Sequence, residues 1–240
     1  MTIDFISDLH LDRTRPEVNE YFIKYLNNIS KDVTDLYILG DLFEYWVGDD
    51  DPMDDLNEIR TSITMLGSKI NIWYMHGNRD FLISKKICKD LNMKLLKDPT
   101  VILENELKLL LLHGDTLCTD DKEYQNFRSL VRSEEWQTKM LSKSLEERLS
   151  LAENLRMKSI NANAYKDENI MDVNIREIDL LIDNYKPDII IHGHTHRPNI
   201  HTHESEEKNI YRYVLGDWYD RFFILSLKNR GFVVSKGNLK

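Results

Sequence analysis

The stretch Leu36-Tyr37-Ile38-Leu39-Gly40-Asp41-Leu42-Phe43-Glu44 decides the fold of this 240-residue chain. Its apolar run, bounded by Asp35 and Gly40, predicts a buried strand that ends where the glycine lets the backbone turn. Asp41 would then lie at the end of a rigid element, where α/β proteins commonly place catalytic or metal-binding groups. One aspartate in this position is a weak indication, but the chain uses the same arrangement several times.

Other predicted strands also end in residues that bind metal ions. These residues are Asp8 and His10 after residues 3–7, Asn78 after 70–75, His113 after 107–112, and His194 and His196 after 188–191. In extended backbone Asp8 and His10 lie on the same side, and a carboxylate beside an imidazole suits Mn, Fe or Zn better than Ca. Taken alone, each motif also has a simpler interpretation, such as a left-handed turn residue for Asn78.

Together with Asp41, these side chains make seven nitrogen or oxygen ligands. Seven ligands suffice for two four-ligand sites if one carboxylate is shared, and an aspartate can bridge two metal ions because it has two oxygens. Two ions roughly 3.5–4 Å apart can stabilise both the attacking and the leaving oxygen of a phosphoryl displacement. The mixed ligands favour Mn²⁺ or a similar first-row ion, and the general order of affinities leaves zinc open.

The composition narrows the class of protein. A hydrophobic content of 41% is ample for a packed core, and a net charge of −9 argues against general nucleic-acid binding. No apolar run is long enough to span a membrane, and the first residues do not resemble a signal peptide. Cys88 and Cys118 lie outside any CxxC spacing, which is typical of buried, reduced thiols in a cytosolic protein.

The strand pattern disappears between about residues 120 and 170, where leucines follow helical spacing. We interpret this segment as a helical insertion in a single domain that spans residues 1–240. Residues 122–166 hold nine Lys or Arg and six Glu, so this part carries +3 while the rest carries −12. It is either a surface helix with scattered charge, or a lid for an anionic, apolar-tailed ligand or an anionic membrane surface.

The motif order D-x-H, GD, GN, H and GHTH at successive strand ends resembles the calcineurin-like metallophosphoesterases. The resemblance implies an α/β fold, a two-sheet β-sandwich flanked by helices in four layers. It also implies two ligand sets that share one carboxylate. The first set would be Asp8, His10, Asp41 and His196, and the second Asp41, Asn78, His113 and His194.

The motifs GDLFEYW, GNRDF, HGDTLCTDD and HGHTHRP further resemble the branch of that family that hydrolyses UDP-2,3-diacylglucosamine in lipid A synthesis. This implies water attack on the α-phosphorus, giving UMP and 2,3-diacylglucosamine 1-phosphate, with two Mn²⁺ per chain. It also implies that the insertion caps the acyl chains and that the protein lies peripherally on the cytoplasmic face of the inner membrane. We expect a monomer with a lipid-linked nucleotide substrate and no nucleic-acid partner.

Arg79 departs from the general family pattern, which places a histidine after the asparagine to help protonate the leaving group. Here the leaving group would itself be a phosphate, whose second pKa of about 6 lets it depart unprotonated. A guanidinium would neutralise its charge through paired hydrogen bonds better than an imidazole. The predicted catalytic residues are Asp41, Asn78, Arg79, His113 and His194.

The resemblance also implies a set of substrate contacts in and near the insertion. This set is Asn78, Arg79, Asp121, Ser159, Asn163, Lys166 and His194. Ser159, Asn163 and Lys166 are spaced i, i+4, i+7, which places them on one helix face and independently supports a common binding surface. Exposed polar helix residues are the simpler alternative for these three.

Glu44 and Asp115 are expected to orient ligating histidines, and His201 and His203, near several glutamates, are expected in a solvated loop. A soluble dimetal phosphodiesterase or nucleotide pyrophosphatase for a polar substrate would use the same ligands. A non-catalytic scaffold would be favoured by a missing ligand, and none of the seven is missing.

Overall fold

A computed structural model of the chain describes residues 1–52, 56–163, 170–205, 208–229 and 231–239, with the backbone alone at 160–163. Within these ranges, two β-sheets pack against each other and helices cover their outer faces. This confirms the predicted α/β sandwich. A search of the same ranges finds no helix with the length and apolar character needed to cross a membrane.

The first sheet has six strands. They are β1 (Thr2–Ile6), β2 (Val33–Leu39), β3 (Asn71–Met75), β4 (Met93–Leu95), β10 (Arg221–Lys228) and β11 (Gly231–Asn238), arranged in the order β11-β10-β1-β2-β3-β4. Strands β1 to β4 run parallel, and β10 and β11 join as an antiparallel hairpin beside β1. The carboxyl ends of β1, β2 and β3 therefore meet at one edge of the sheet.

The second sheet has five strands. They are β5 (Thr100–Glu104), β6 (Leu107–Leu111), β7 (Ile189–His192), β8 (Asn199–Glu204) and β9 (Asn209–Val214), arranged in the order β5-β6-β7-β9-β8. Strands β5 and β6 form an antiparallel hairpin. Strands β6, β7 and β9 run parallel, whereas β9 pairs antiparallel with its other neighbour, β8.

Seven helices are present among the described residues. They are α1 (Pro16–Asn28), α2 (Asn57–Gly67), α3 (Lys85–Asp90), α4 (Lys122–Val131), α5 (Glu134–Leu141), α6 (Leu145–Asn163) and α7 (Ile175–Tyr185). The long leucine pattern is divided among α4, α5 and α6 by local caps. Ser133 accepts a hydrogen bond from the Trp136 amide at the start of α5, and Ser144 and Glu147 form a capping box before α6.

The prediction of a loop at His201 and His203 is wrong, because these residues belong to the edge strand β8. His203 accepts a hydrogen bond from Nε of the buried Arg212 on β9 at 3.2 Å. Apart from Ile200, β8 has no apolar side chain, so its sequence lacks the alternation that identifies a half-buried strand.

Gly40 brings three strand ends into contact. Its φ of 91° lies in the left-handed region that favours glycine. A Cβ at this position would lie 2.5 Å from Nδ1 of His113 and 2.7 Å from Cα of Gly77. The end of β2 therefore lies directly against the loops that follow β3 and β6.

We expect Gly40→Ala to lower the free energy of unfolding by about 2 kcal/mol or more, since a strained backbone of this kind costs about 1–3 kcal/mol and the new Cβ would overlap two neighbours. Urea denaturation measures the difference. Gly231→Ala is the matched control, because its Cβ would have no neighbour closer than the Lys228 carbonyl oxygen at 3.6 Å. Equal stability of the two variants would contradict the close approach at Gly40.

Candidate metal centre

The seven predicted ligands converge beyond the carboxyl ends of β1, β2, β3, β6 and β7. Asp8, His10 and His196 each offer an atom within 4.8 Å of the others, and Asp8, Asp41 and His113 form a second such group. All of these residues are buried except His196, which is partly exposed. The structure thus brings together side chains that are up to 188 positions apart in the sequence.

Asn78 lies between two histidines from the second sheet. Its Oδ1 is 3.0 Å from Nε2 of His113 and 2.9 Å from Nδ1 of His194. Ligands at right angles, each about 2.1 Å from a metal ion, are about 3.0 Å apart. The amide oxygen and two imidazole nitrogens therefore have the spacing of neighbouring ligands around one ion.

Asp41 occupies the position expected of a shared ligand. Its Oδ2 is 3.8 Å from Nε2 of His10 on one side and 3.8 Å from Nε2 of His113 on the other. Beyond His10, Nε2 of His196 is 3.4 Å from Nε2 of His10 and 3.4 Å from Oδ1 of Asp8. One carboxylate oxygen thus lies equally close to a histidine of each predicted set.

The hydrogen bonds of Asp8 leave one oxygen available for a cation. Its Oδ2 accepts hydrogen bonds from Oγ of Ser7 at 2.6 Å and from the His194 amide at 2.9 Å. Its Oδ1 is buried and accepts none. A buried carboxylate oxygen without a partner is costly, and a bound cation would satisfy it. The residues present therefore fit the two-metal centre that the family implies.

The buried carboxylates favour positive charge at the centre. Burial alone would lower the pKa of His113, but Asp41 and Asp8 raise it to about 9. Burial also opposes the charged form of His196, whose pKa neighbouring carboxylates raise to about 10. His194 differs, because burial and the nearby His113 lower its pKa to about 3. Metal cations would supply the positive charge that this field favours.

The ligands hold an unusual backbone conformation. Asp8, His10, Asp41, His194 and His196 all have φ between 51° and 69°, in the left-handed region. Each such residue costs of the order of 1–3 kcal/mol and persists only where its surroundings enforce it. Since five of the seven ligands share this conformation, the loops after the strands are shaped to direct side chains into the centre.

In three of the histidines, Nδ1 lies near a carbonyl or carboxylate oxygen. For His113 this nitrogen donates to the Leu39 carbonyl at 2.8 Å, and for His10 it lies 3.3 Å from Oε2 of Glu44, as predicted for Glu44. In His196 it lies 2.9 Å from Oδ2 of Asp217, a partner that the sequence analysis missed. Each contact directs Nε2 towards the other ligands, as partners of metal-bound histidines commonly do.

The predicted role of Asp115 as a histidine partner is wrong. Its Oδ2 accepts hydrogen bonds from Oη of Tyr124 at 2.9 Å and from Nε of Arg128 at 2.7 Å, and its Oδ1 accepts none. Both donors belong to α4, so Asp115 connects this helix to the loop after β6 that carries His113. Tyr124 also places its ring 5.7 Å from the ring of His194.

A cavity of about 530 Å³ extends from the ligands to helices α4–α6. Its apolar wall includes Trp46, Phe81, Phe127, Val131, Trp136 and Leu155. Of the predicted substrate contacts outside the metal ligands, Arg79, Asp121 and Ser159 also line it. Asp121 is buried and caps α4 by accepting from the Tyr124 amide. Lys166 and the side chain of Asn163 lie outside the described residues.

Four arginines of the helical segment contact the core. Arg128 binds Asp115, and Arg132 donates to the Gly77 carbonyl at 2.8 Å. Arg148 donates to the Val47 carbonyl at 2.7 Å and pairs with Asp50, and Arg156 lies 3.3 Å from Oε1 of Glu44. Much of the positive charge of this segment therefore lies on side chains that contact the core.

Comparison with known proteins finds relatives that align with most of the chain. The chain is 40% identical to a protein from Aliivibrio fischeri named UDP-2,3-diacylglucosamine hydrolase, and the alignment covers all of both chains. It is 43% identical to a protein of the same name from Marinobacter nauticus over 91% of this chain and 90% of that one.

A third relative of that name, from Chromohalobacter salexigens, is 40% identical over 91% of this chain and 89% of its own. A solved archaeal phosphodiesterase is similar in fold alone, with a TM-score of 0.51 and 15% identity over 98% of this chain and 99% of that one. The family model for calcineurin-like phosphoesterases matches residues 1–198. The chain therefore belongs to the calcineurin-like phosphoesterases.

Proposed function

We propose that this chain hydrolyses the pyrophosphate bond of UDP-2,3-diacylglucosamine, giving UMP and 2,3-diacylglucosamine 1-phosphate, a step of lipid A synthesis. One observation carries the proposal: a single cavity is lined both by predicted metal ligands and by an apolar wall from α4–α6. A nucleotide-linked lipid needs both features, because its phosphates require cations while its acyl chains require apolar surface. The names of the near full-length relatives support the same substrate.

The ligand side chains would hold two Mn²⁺ ions, with Asp41 shared between them. Asp8, His10 and His196 complete the first site, and Asn78, His113 and His194 complete the second. When bound, such a pair of ions polarises a phosphoryl oxygen and activates a water molecule for attack, here on the α-phosphorus.

Arg79 would neutralise the leaving phosphate. Its backbone amide donates to Oδ1 of Asp41 at 2.8 Å, which fixes the residue beside the shared ligand, while its side chain lines the cavity. A phosphate monoester with a second pKa of about 6 leaves without a proton, so a guanidinium that remains charged suits this step. Asn78 and His194 would contact the same phosphates.

Helices α4–α6 would form the cap of this single domain and receive the acyl chains. Trp136 packs 6.2 Å from Phe81, ring to ring, and the Arg132 guanidinium covers Phe81 at 4.9 Å. These contacts build a firm apolar wall opposite the metal ligands. Asp121 and Ser159 would bind the glucosamine and phosphate groups at its polar margin, together with Asn163 and Lys166.

The outer surface of the cap would rest on the cytoplasmic face of the inner membrane. Leu130, Leu141 and Met157 of these helices are between 46% and 57% exposed. Exposed apolar side chains among basic residues are typical of a protein that binds an anionic membrane surface without crossing it. A substrate with two acyl chains would reach the cavity from that surface.

We expect the purified protein, incubated with UDP-2,3-diacylglucosamine and Mn²⁺ in ¹⁸O-labelled water, to place the label in UMP, because water attacks the α-phosphorus. Mass spectrometry of both products measures this. UDP-N-acetylglucosamine, with the same pyrophosphate and no long acyl chains, should be turned over at least 100-fold more slowly. Label found only in the lipid phosphate would contradict the site of attack, and equal turnover would favour a polar substrate.

The shared ligand predicts unequal effects of two aspartate substitutions. Calorimetric titration with Mn²⁺ should give two ions per wild-type chain, one per chain for Asp8→Asn, and none at the same concentrations for Asp41→Asn. Activity of Asp41→Asn should fall by at least about 10³-fold, since the activated water and the charge clamp are lost together. Retention of one tightly bound ion by Asp41→Asn would show that it does not bridge.

Membrane association predicts that Leu130→Ser and Leu141→Ser each weaken binding to anionic vesicles about tenfold, since burying a leucine contributes roughly 1.5–3 kcal/mol. Co-sedimentation with phosphatidylglycerol-containing vesicles measures the change. Leu180→Ser is the matched control, because Leu180 is 53% exposed on α7, outside the proposed cap. If all three variants bind the vesicles as tightly as the wild-type protein does, the cap does not contact the membrane.

A further inference from the structure

The sequence pattern at the end of β2 occurs a second time near the end of the chain. Tyr213-Val214-Leu215-Gly216-Asp217 repeats the pattern of Tyr37-Ile38-Leu39-Gly40-Asp41. As Asp41 follows β2, Asp217 follows β9, whose neighbour β7 delivers His194 and His196. None of the seven predicted metal ligands comes from the end of β9.

Asp217 contacts one metal ligand directly. Its Oδ2 lies 2.9 Å from Nδ1 of His196, so the ring donates Nδ1–H to the carboxylate. This hydrogen bond fixes the ring orientation and turns Nε2 towards Oδ1 of Asp8, 3.4 Å away. The lone pair that would bind a cation is thereby placed on the side of the other ligands.

Trp218 anchors the segment and reaches a second ligand. Its backbone amide donates to the Asp8 carbonyl at 3.1 Å, and its indole Nε1 donates to the Phe223 carbonyl at 3.1 Å. The ring is completely buried, with edge contacts to Tyr21 and Phe22 of α1. The position of Asp217 is thus set by the core and not by the loop alone.

Tyr219 covers the same side of the centre. Its ring centroid is 5.5 Å from that of His10 and 5.6 Å from that of His196. The Arg15 guanidinium lies 4.3 Å above the Tyr219 ring and donates to the Trp218 carbonyl at 2.8 Å. Among the described residues, the contacts of residues 217–219 with predicted ligands are therefore with members of the first ligand set.

We infer that residues 216–219 form a positioning segment in which Asp217 orients His196 and so sets the metal affinity of the first site alone. The inference rests on the two-metal centre proposed above. Carboxylate partners of metal-bound histidines fix the ring and raise its basicity, and their loss typically weakens metal binding 10- to 100-fold. In the second site, His113 is oriented by the Leu39 backbone carbonyl and not by a carboxylate.

Calorimetric titration with Mn²⁺ tests the inference with Asp217→Asn. We expect the affinity of one of the two sites to fall 10- to 100-fold while the other stays unchanged. Electron paramagnetic resonance with two Mn²⁺ added per chain should then show isolated ions where the wild-type protein forms coupled pairs. Asp217→Glu should restore part of the lost affinity, since it keeps the carboxylate.

Asp220→Asn is the matched control, because it removes the same charge three residues away at an exposed position and should leave both affinities unchanged. Wild-type affinities in Asp217→Asn would overturn the inference. Equal weakening of both sites, with a lower urea midpoint, would overturn it as well, since it indicates a general structural role. If the wild-type chain itself bound no Mn²⁺ pair, the proposed centre would fail, and the inference with it.

Discussion

Close contact between the loops that follow β2 and β3 is the constraint on which the metal centre depends. A Cβ at Gly77 would overlap both the backbone nitrogen and the carboxylate of Asp41. The buried carboxylate of Asp80 then ties the two loops together, accepting from the Gly77 amide at 2.9 Å and from the Leu42 amide at 2.7 Å. Only with the loops this close can one carboxylate lie between histidines of both ligand sets.

The centre is stabilised by its surroundings and not by its own interactions. Five ligands have a left-handed backbone, and a buried oxygen of Asp8 lacks a hydrogen bond. Such features destabilise a fold by a few kcal/mol each and survive only where packed elements enforce them. The apolar core between the sheets and the clusters beneath the helices provide that support. The packed elements around the centre, and not the candidate ligands themselves, thus hold these side chains in place.

The sequence indicated candidate ligands where a local pattern marks them. An apolar strand followed by Asp41, Asn78 or His113 is visible within ten residues, and parallel strands bring such ends together. The strand β8 could not be predicted because its polar side chains show no alternation. The error at Asp115 has a different cause, since its partners Tyr124 and Arg128 reach it only through the packing of α4. Asp217 was detectable, because its strand end repeats the pattern that precedes Asp41.

The net charge of +3 counted for residues 122–166 overstates the positive charge that helices α4–α6 can present to a ligand or a membrane. Arg148 is almost completely buried against Val47 and Asp50, and a side chain at Gly48 would meet its guanidinium. Detaching α6 from the core at this point would break the hydrogen bond to the Val47 carbonyl and the ion pair with Asp50, whose side chain is 65% exposed. Three further arginines of these helices also contact the core, namely Arg128, Arg132 and Arg156. Helices α4–α6 are therefore held in place around the cavity. Acyl chains would therefore enter between fixed helices, and contact with a membrane would depend on exposed lysines and apolar side chains.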